Sequence, residues 1–275
     1  MKVAVLISVS GRIEEALECI SGVYRQSDSL AGEGKYSIDI FLNDDTGEEG
    51  FSEMVSAKFP DVRTVRSPER LFSCRGLRLA WQEAAAQDYD FYLWLDPCLS
   101  LCEGAFGTLL ENSNFLRHEA IIAGSVSLAD GGLIHGGRTR SGKLIQPDAV
   151  IPVPCTFFDG NLVLVPRHAF NVLGPVDAEF QQELGFWDYG IRAVRAGISR
   201  VISPGILATS TQAPGIPSWQ DSSLSFKERY RALRSPEGRP FGQQFTYDIR
   251  SRGLLFAIWG FIKLNLRTIF ALKRK

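Results

Sequence analysis

Acidic side chains follow two apolar segments of this 275-residue chain, at points where strands are expected to end. Asn43, Asp44 and Asp45 come directly after SIDIFL, and Asp96 comes directly after FYLWL. In open parallel sheets, ligands bind beyond the carboxyl ends of the strands, where carboxylates hold hydroxyl groups or a hard divalent cation. Asp and Asn also favour turns, which is the better explanation for either segment alone. Together, on strands expected to be neighbours, they favour a binding site.

Several other chemistries find no support in the sequence. It contains no G-x-x-x-x-G-K-[ST] phosphate loop and no G-x-S-x-G nucleophile elbow, and SVSGR after the first strand is not a dinucleotide fingerprint. The 30 basic and 31 acidic residues give a net charge of -1, which predicts no nucleic-acid partner. The five cysteines form no C-x-x-C pair, which predicts free thiols in a reducing cytoplasm rather than a zinc site.

The histidine and the basic residues of the segment GGLIHGGRTRSGK could each bind a ligand or simply belong to a surface loop. His135 has the right chemistry for a metal ligand, but no ligand spacing surrounds it, and a loop histidine explains it better. Arg138, Arg140 and Lys143 could meet the phosphates of an acceptor, yet a solvated loop is the simpler interpretation.

The hydrophobic pattern predicts the elements that would position these side chains. Apolar runs predict strands at 3–7, 37–42, 62–65, 91–95, 120–126, 161–165 and 200–203. Helical spacing predicts helices at 13–24, 54–59, 77–86, 166–174, 187–196 and 226–233. The alternation is typical of βαβ units, and therefore of an α/β fold with a mostly parallel sheet flanked by helices. Glycine and arginine at 131–142 predict a hairpin or loop, and the composition of 208–217 predicts a mobile connection.

The last 23 residues, GLLFAIWGFIKLNLRTIFALKRK, combine a long apolar stretch with positive charge. Lys263, Asn265 and Arg267 interrupt the stretch, which makes a membrane-spanning helix of about 20 residues unfavourable. Two interpretations stay open. One is an amphipathic helix on an anionic membrane surface, aided by the cations at 273–275. The other is a helix packed on the domain, with basic residues that match its dipole.

Five ordered segments resemble those of a known family. They are IDIFLNDDTG, FPDVRTVRSPERLFSCRGLRLAWQEAAAQDYDFYLWLD, FFDGNLVLVPR, FWDYGIRAVRAG and WQDSSLSFKERYRALRSPEGRPFG. The chain resembles family 2 glycosyltransferases of the GT-A type, and is most similar to bacterial members of capsular and other surface polysaccharide pathways. The resemblance runs nearly end to end. It implies a GT-A-like domain over 1–207, followed by a C-terminal extension with helices over 208–275. The amphipathic tail of that extension is the segment for which membrane association and packing on the domain both stay open.

The resemblance implies transfer of a sugar, with inversion, from a UDP- or dTDP-sugar to a saccharide or lipid-linked saccharide. It places such an enzyme in the cytoplasm, at the inner face of the plasma membrane. The residues that match the family's functional positions are Asp44, Asp45, Arg75 and Asp96 for the donor, Asn161 of the Asp159-Gly160-Asn161 loop for the sugar and acceptor, and Asp96 for Mg2+ or Mn2+. Trp187 is either an acceptor-stacking residue or part of the core.

The sequence departs from the family pattern at the metal motif. Close relatives have Asn-Asp-Asp where this chain has Asp96, Pro97 and Cys98. Proline offers no side-chain ligand and a thiol is a poor ligand for Mg2+ or Mn2+, so Asp96 is the one carboxylate left in the motif.

A second departure affects the catalytic base. The usual base position holds Phe186, which cannot accept a proton. Asp188, two residues on, is the predicted catalytic base, and Glu183 is also near. An ion pair with Arg192, four residues along a helix, is the structural explanation for Asp188.

The departures favour one rival function. In it the chain is a degenerate, non-catalytic relative that binds a sugar nucleotide or a partner enzyme. A sugar nucleotidyltransferase is a weaker rival, because its glycine-rich loop with Arg and Lys after the first strand is absent.

Overall fold

A central sheet with helices on both faces forms the body of the molecule in the computed structural model, which describes residues 1–31, 34–67, 69–213 and 215–270. The strands are β1 (Lys2–Val9), β2 (Ser37–Asp44), β3 (Arg63–Arg66), β4 (Phe91–Leu95), β5 (Ser100–Leu101), β6 (Ala120–Leu128), β7 (Leu133–His135), β8 (Gly137–Arg138), β9 (Val153–Pro154), β10 (Phe157–Phe158), β11 (Leu162–Pro166) and β12 (Ser199–Ser210). The helices are α1 (Ile13–Ala31), α2 (Phe51–Lys58), α3 (Phe72–Ala85), α4 (Ala105–Phe115), α5 (Arg167–Leu173), α6 (Glu183–Arg195), α7 (Phe226–Arg234), α8 (Phe241–Arg252) and α9 (Leu254–Phe270).

The sheet has the strand order β3-β2-β1-β4-β11-β6-β12-β5. The first four strands are parallel, as predicted, but β1 lies between β2 and β4, so the two acidic segments are not on neighbouring strands. β11 runs antiparallel to both β4 and β6. Residues 129–161, all of which the structure describes, contain no helix to carry the chain back across the sheet. A parallel partner needs such a crossover, so β11 enters from the opposite direction.

Two apolar layers cover the sheet, which explains why β1 is apolar along its length. Val3, Val5 and Ile7 face the layer beneath α1, α2 and α4, while Ala4 and Leu6 face the layer beneath α3, α5 and α6. The second layer is rich in aromatic side chains. Its largest fully buried members are Trp81, Trp94, Tyr189, Phe41, Phe158 and Phe180.

The C-terminal part differs most from the expectations. β12 continues to Ser210, so the expected boundary after residue 207 and the start of the expected mobile connection fall inside a strand. α8 was not predicted, although Phe241, Phe245 and Ile249 stand at helical spacing in its sequence FGQQFTYDIRSR; the helix buries only Gln243. α4 was also missed. No helix in the described part of the chain is long and apolar enough to cross a membrane.

Candidate active site

Candidate functional side chains from four elements lie at one edge of the sheet. Asp44 ends β2 and Asp96 follows β4, so both stand at the carboxyl edge of the parallel strands. β11 is antiparallel to β4 and pairs Leu162 with Leu95, so its first residues, and Asn161 before them, reach the same edge. The N-terminus of α6, at Glu183, adds a further carboxylate. The predicted gathering of polar groups at this edge is therefore present, although its strand order differs.

A cleft of about 490 Å³ lies over the ends of β2 and β3. Asp44, one of its lining residues, is almost completely buried. Its Oδ1 accepts hydrogen bonds from the backbone N (3.1 Å) and Oγ1 (2.7 Å) of Thr46, and its Oδ2 accepts one from Ser52 Oγ (2.7 Å). These bonds fix the carboxylate in one orientation at the wall of the cleft.

Asp45 connects the same cleft to helix α3. Its two carboxylate oxygens accept the backbone N–H groups of Leu71 (2.6 Å) and Phe72 (2.8 Å), at the first turn of the helix. An anion at a helix N-terminus satisfies amides that have no partner inside the helix. α3 also lies tight against the strands, because a Cβ at Gly76 would overlap Ser8 Oγ. Asp45 therefore has a structural role beside any contact with a ligand.

Two arginines of this cleft were not identified from the sequence. Arg66 is the last residue of β3 and is paired in register with Asp44, and Arg70 follows in the loop. Both line the cleft and bring positive charge next to the two aspartates. The available signal was a basic residue directly after a predicted strand, the same type of signal that identified Asp44.

A second pocket, of about 280 Å³, lies over the ends of β1, β4 and β11. Asp96 and Asn161 line it together, and Asn161 Nδ2 donates a hydrogen bond to Asp96 Oδ2 (2.8 Å). The backbone N of Cys98 donates to Asp96 Oδ1 (2.9 Å). The structure thus brings together two of the predicted residues, and each oxygen of Asp96 keeps capacity to accept further bonds.

Asp159 is the centre of a buried polar cluster in the wall of the second pocket. Its carboxylate accepts a forked pair of hydrogen bonds from Arg138, at 2.7 and 2.8 Å, and one from Trp187 Nε1 at 3.1 Å. His135 Nδ1 lies 3.6 Å away. Burial alone would raise the pKa of Asp159, but the contact with His135 and the hydrogen bonds from Arg138 and Trp187 hold it below its usual range. Arg138 is therefore part of the site wall rather than a residue of a solvated loop.

Phe186, which stands at the expected base position in the sequence, is part of the pocket lining. Its ring lies over Gly160, where any Cβ would overlap it, and 5.6 Å from the Trp94 ring centroid. Glu183, one helical turn earlier, also lines this pocket, and its side chain is 55% exposed. Arg239 forms an ion pair with Glu183 from the C-terminal extension.

Asp188 does not line either pocket. It is fully buried on the other face of α6, where its carboxylate contacts Arg192 (3.1 Å) and Arg250 (3.3 Å). Burial raises the pKa of Asp188, and the two arginines oppose the shift. Arg250, from α8, also contacts Asp177 (2.8 Å). Asp188 therefore forms a buried ion pair that links α6 to α8 of the C-terminal extension.

Two other predicted residues point away from the pockets. Arg75 donates its Nε–H to the carbonyl oxygen of Ala178 (2.7 Å), and it does not line either pocket. The Trp187 ring is half-buried, with the guanidinium groups of Arg239 and Arg138 4.9 and 5.9 Å from its centroid. Trp187 therefore packs behind the pocket, on the Asp159 cluster.

The donor set at this edge fits a divalent cation only in part. In the described part of the chain, no three His, Cys, Asp or Glu side chains are grouped as metal ligands. Asp96 still offers carboxylate oxygens toward the pocket, and Mg2+ commonly takes one or two protein carboxylates with phosphates and waters completing its shell. Asp96 would therefore fit a cation that takes most of its ligands from phosphate and water.

Comparison with known proteins identifies the fold. No protein-family model matches the sequence, and no curated protein sequence matches it. Three solved structures are similar to this chain. GalNAc-T7 with UDP, GalNAc and Mn2+ has a TM-score of 0.59 and 16% identity, over 98% of this chain and 54% of that one. TarS 1–349 from S. aureus has a TM-score of 0.57 and 9% identity, over 97% and 74%. The mannosyltransferase PcManGT from Pyrobaculum calidifontis, with GDP-Man and Mn2+, has a TM-score of 0.52 and 14% identity, over 99% and 76%.

These similarities confirm the predicted fold class. The chain has a GT-A-type fold, a mixed α/β sheet flanked by helices with a C-terminal helix. It spans about half the length of the GalNAc-T7 chain.

Proposed function

We propose that this protein is a family 2 glycosyltransferase that transfers a sugar, with inversion, from a nucleotide-sugar to a saccharide or lipid-linked saccharide. Its setting is surface polysaccharide synthesis at the cytoplasmic face of the plasma membrane. One observation carries the proposal. The cleft and the pocket both stand at the strand ends of a GT-A-type fold, the cleft with buried aspartates and the pocket with Asp96, Asn161 and an exposed carboxylate at Glu183.

The cleft and the pocket bind different parts of the donor. The nucleoside, from UDP or dTDP, binds in the cleft beside Asp44 and Asp45, where carboxylates accept hydrogen bonds from the base and ribose. The diphosphate and the sugar extend past Asp96 into the pocket with Asn161. Asp96 would hold Mg2+ or Mn2+, which would supply positive charge to the leaving diphosphate.

Glu183 is the proposed general base, in place of Asp188. It accepts the proton of the acceptor hydroxyl, whose oxygen forms a bond to the anomeric carbon from the face opposite the leaving group. The bond from that carbon to the diphosphate oxygen breaks, and the diphosphate keeps the electron pair. The single displacement inverts the anomeric configuration.

Substitution of Asp44 by alanine is expected to weaken nucleotide binding. A hydrogen bond to a charged group contributes about 1.5–3 kcal/mol, so Kd should rise about 10- to 150-fold. Ser52→Ala is the matched control, because it removes the bond to Asp44 Oδ2 and keeps the carboxylate. Calorimetric titration with UDP and dTDP measures both. Equal affinities for Asp44→Ala and the wild type would remove Asp44 from the donor site.

Metal binding is expected to depend on the nucleotide. With Asp96 as the one carboxylate of its motif, Mn2+ alone should bind weakly, and Mn2+ should raise the affinity for UDP. Asp96→Asn should abolish that coupling, and Cys98→Asp, which restores a hard ligand, should strengthen it. UDP titrations with Mn2+ and with a chelator provide the measurement. A wild-type UDP affinity indifferent to Mn2+ would contradict this expectation.

The decisive test of the proposed function is a screen of UDP-, dTDP- and GDP-sugars. The true donor should raise the melting temperature, because ligand binding stabilises the folded state, and it should be hydrolysed or transferred. The occupation of the base position by Phe186 supports the alternative, a non-catalytic sugar-nucleotide binder. Stabilisation by a donor without turnover, across saccharide and lipid-linked acceptors, would establish that alternative.

A further inference from the structure

Helix α9 is apolar on both sides, but it packs through only one of them. Ala257 and Thr268 are buried, and Gly260 and Leu264 are half-buried between them. These positions are three or four residues apart and therefore share one face. Gly260 permits the close approach of α8, because a Cβ there would lie 2.7 Å from Asp248 Oδ2.

The opposite face of α9 is an exposed apolar stripe, formed by Leu255, Trp259, Ile262 and Leu266. The spacing of four, three and four residues aligns these side chains along the helix. Leu255 is 83% exposed and Trp259 is 60% exposed. A contiguous apolar surface of this kind on a folded protein marks a contact with another apolar phase. Further exposed apolar residues of the helix are Leu254, Phe256, Ile258, Phe261, Ile269 and Phe270.

The helix is held in this orientation by the rest of the extension. Arg229 of α7 is buried and donates hydrogen bonds to the carbonyl oxygens of Thr268 (3.1 Å) and Ile269 (3.3 Å), in the last turn of α9. Phe261 meets Phe241 of α8 at a ring-centroid distance of 4.5 Å. A positive group at a helix C-terminus stabilises both the carbonyls and the helix dipole. The stripe is therefore presented outward by a packed scaffold.

Positive charge near the stripe favours binding to an anionic surface. Arg250 is already paired with Asp177 and Asp188, and Lys273, Arg274 and Lys275 lie outside the described residues. Helix α9 itself contains no Asp or Glu, and its cations are Lys263 and Arg267, with Arg252 just before it. Two copies joined stripe to stripe would bring these cations together. An anionic surface neutralises them, and each basic residue near such a surface contributes to binding.

We propose that the α9 stripe inserts into the interfacial layer of an anionic phospholipid bilayer, with α9 lying parallel to the surface. The other interpretation of the tail sequence, a helix packed on the domain, explains the buried face with Ala257 and Thr268. It does not explain the exposed stripe. An amphipathic helix binds such a layer through its apolar face and its flanking cations. The inference does not depend on glycosyl transfer, because it uses no residue of the cleft or the pocket.

Trp259 provides a direct test. Of the five tryptophans it is the exposed one, since Trp81, Trp94 and Trp219 are buried and Trp187 is half-buried. The full chain should co-float with phosphatidylglycerol-containing vesicles at low salt, and less so at high salt, where charge is screened. Phosphatidylcholine vesicles should bind it weakly. Brominated phosphatidylglycerol should quench its fluorescence, and Trp259→Phe should lose most of the quenching while still co-floating.

Variants complete the experiment. Leu255→Glu combined with Ile262→Glu should lower the vesicle partition coefficient about 30-fold or more. Phe115→Glu, a change at a 74% exposed phenylalanine of α4, is the matched control and should leave it unchanged. Near-ultraviolet circular dichroism verifies that each variant is folded. The proposal is overturned if the folded wild type does not co-float. It is equally overturned if sedimentation equilibrium shows a dimer that the double variant dissociates and that does not bind vesicles.

Discussion

Replacement of Glu183 by glutamine is expected to slow sugar transfer by about 10²–10⁴-fold, the usual contribution of a general base. Glutamine keeps the size of the side chain but cannot accept the proton of the acceptor hydroxyl. Glu183 lines the pocket with Asp96 and Asn161, and its side chain is open to solvent. The nucleoside cleft lies at the ends of β2 and β3, so the affinity for the donor should be nearly unchanged.

Three further variants test whether the loss of activity comes from the Glu183 carboxylate itself or from changes around it. Arg239→Ala removes the ion pair with Glu183 and keeps the carboxylate, so it should retain most of the activity. Glu179→Gln makes the same chemical change at an exposed residue and should be neutral. Initial rates and donor titrations measure all of them. If Glu183→Gln turns over normally and a folded Asp188→Asn does not, the base is Asp188 and our assignment is wrong.

Replacement of Asp159 by asparagine is expected to destabilise the protein strongly. Asp159 compensates the partly buried guanidinium group of Arg138 and holds the indole of Trp187. Removing one partner of a buried ion pair leaves the other charge uncompensated, which costs about 3–5 kcal/mol. The free energy of unfolding should fall by this amount at neutral pH.

The pH dependence of stability provides a second signature of Asp159. The contacts with His135, Arg138 and Trp187 outweigh burial and place its folded-state pKa below the ordinary value. A group of this kind contributes stability above the pKa of the unfolded chain, and that contribution is lost as the pH falls through the folded-state pKa. The wild type should therefore lose stability as the pH falls below the unfolded-chain pKa of about 4 and through the lower folded-state pKa, and Asp159→Asn should lose less.

Urea unfolding curves between neutral and acidic pH measure both effects. Asp88→Asn is the control, because Asp88 pairs with Arg167 on the surface and such exposed pairs contribute little. Equal urea midpoints for Asp159→Asn and the wild type at neutral pH would show that the Arg138 pair does not stabilise the fold.

Local pattern was sufficient to predict most of the strands and the edge at which the polar groups gather. The position of Asp44 and Asp96 follows from strand direction alone, since all carboxyl ends of parallel strands face one way. The order of the strands was not predictable in this way. β11 lies beside β4 because Leu162–Pro166 pair with Phe91–Leu95, far earlier in the chain, and no local periodicity encodes that pairing.

Side-chain roles that depend on distant partners were the hardest to infer. Arg138 resembles a solvated loop residue until Asp159, 21 residues later, is placed against it. Asp188 resembles a base until Arg250, 62 residues later, is placed beside it. In both cases the residue type is correct for catalysis or binding, and only tertiary contact distinguishes that role from a buried ion pair.

The ion pair between Arg250 and Asp188 also affects the order in which the chain can fold during synthesis. A ribosome that adds about 5–20 residues per second needs about 3–12 seconds to travel from position 188 to position 250. During this interval the nascent α6 carries a carboxylate that has Arg192 but lacks its second cation. The earlier strands can pair before this point. The contact between α8 and α6 can form only when Arg250 has left the exit tunnel. A chain stalled before Arg250 should therefore remain open to chaperones and proteases on its α6 side.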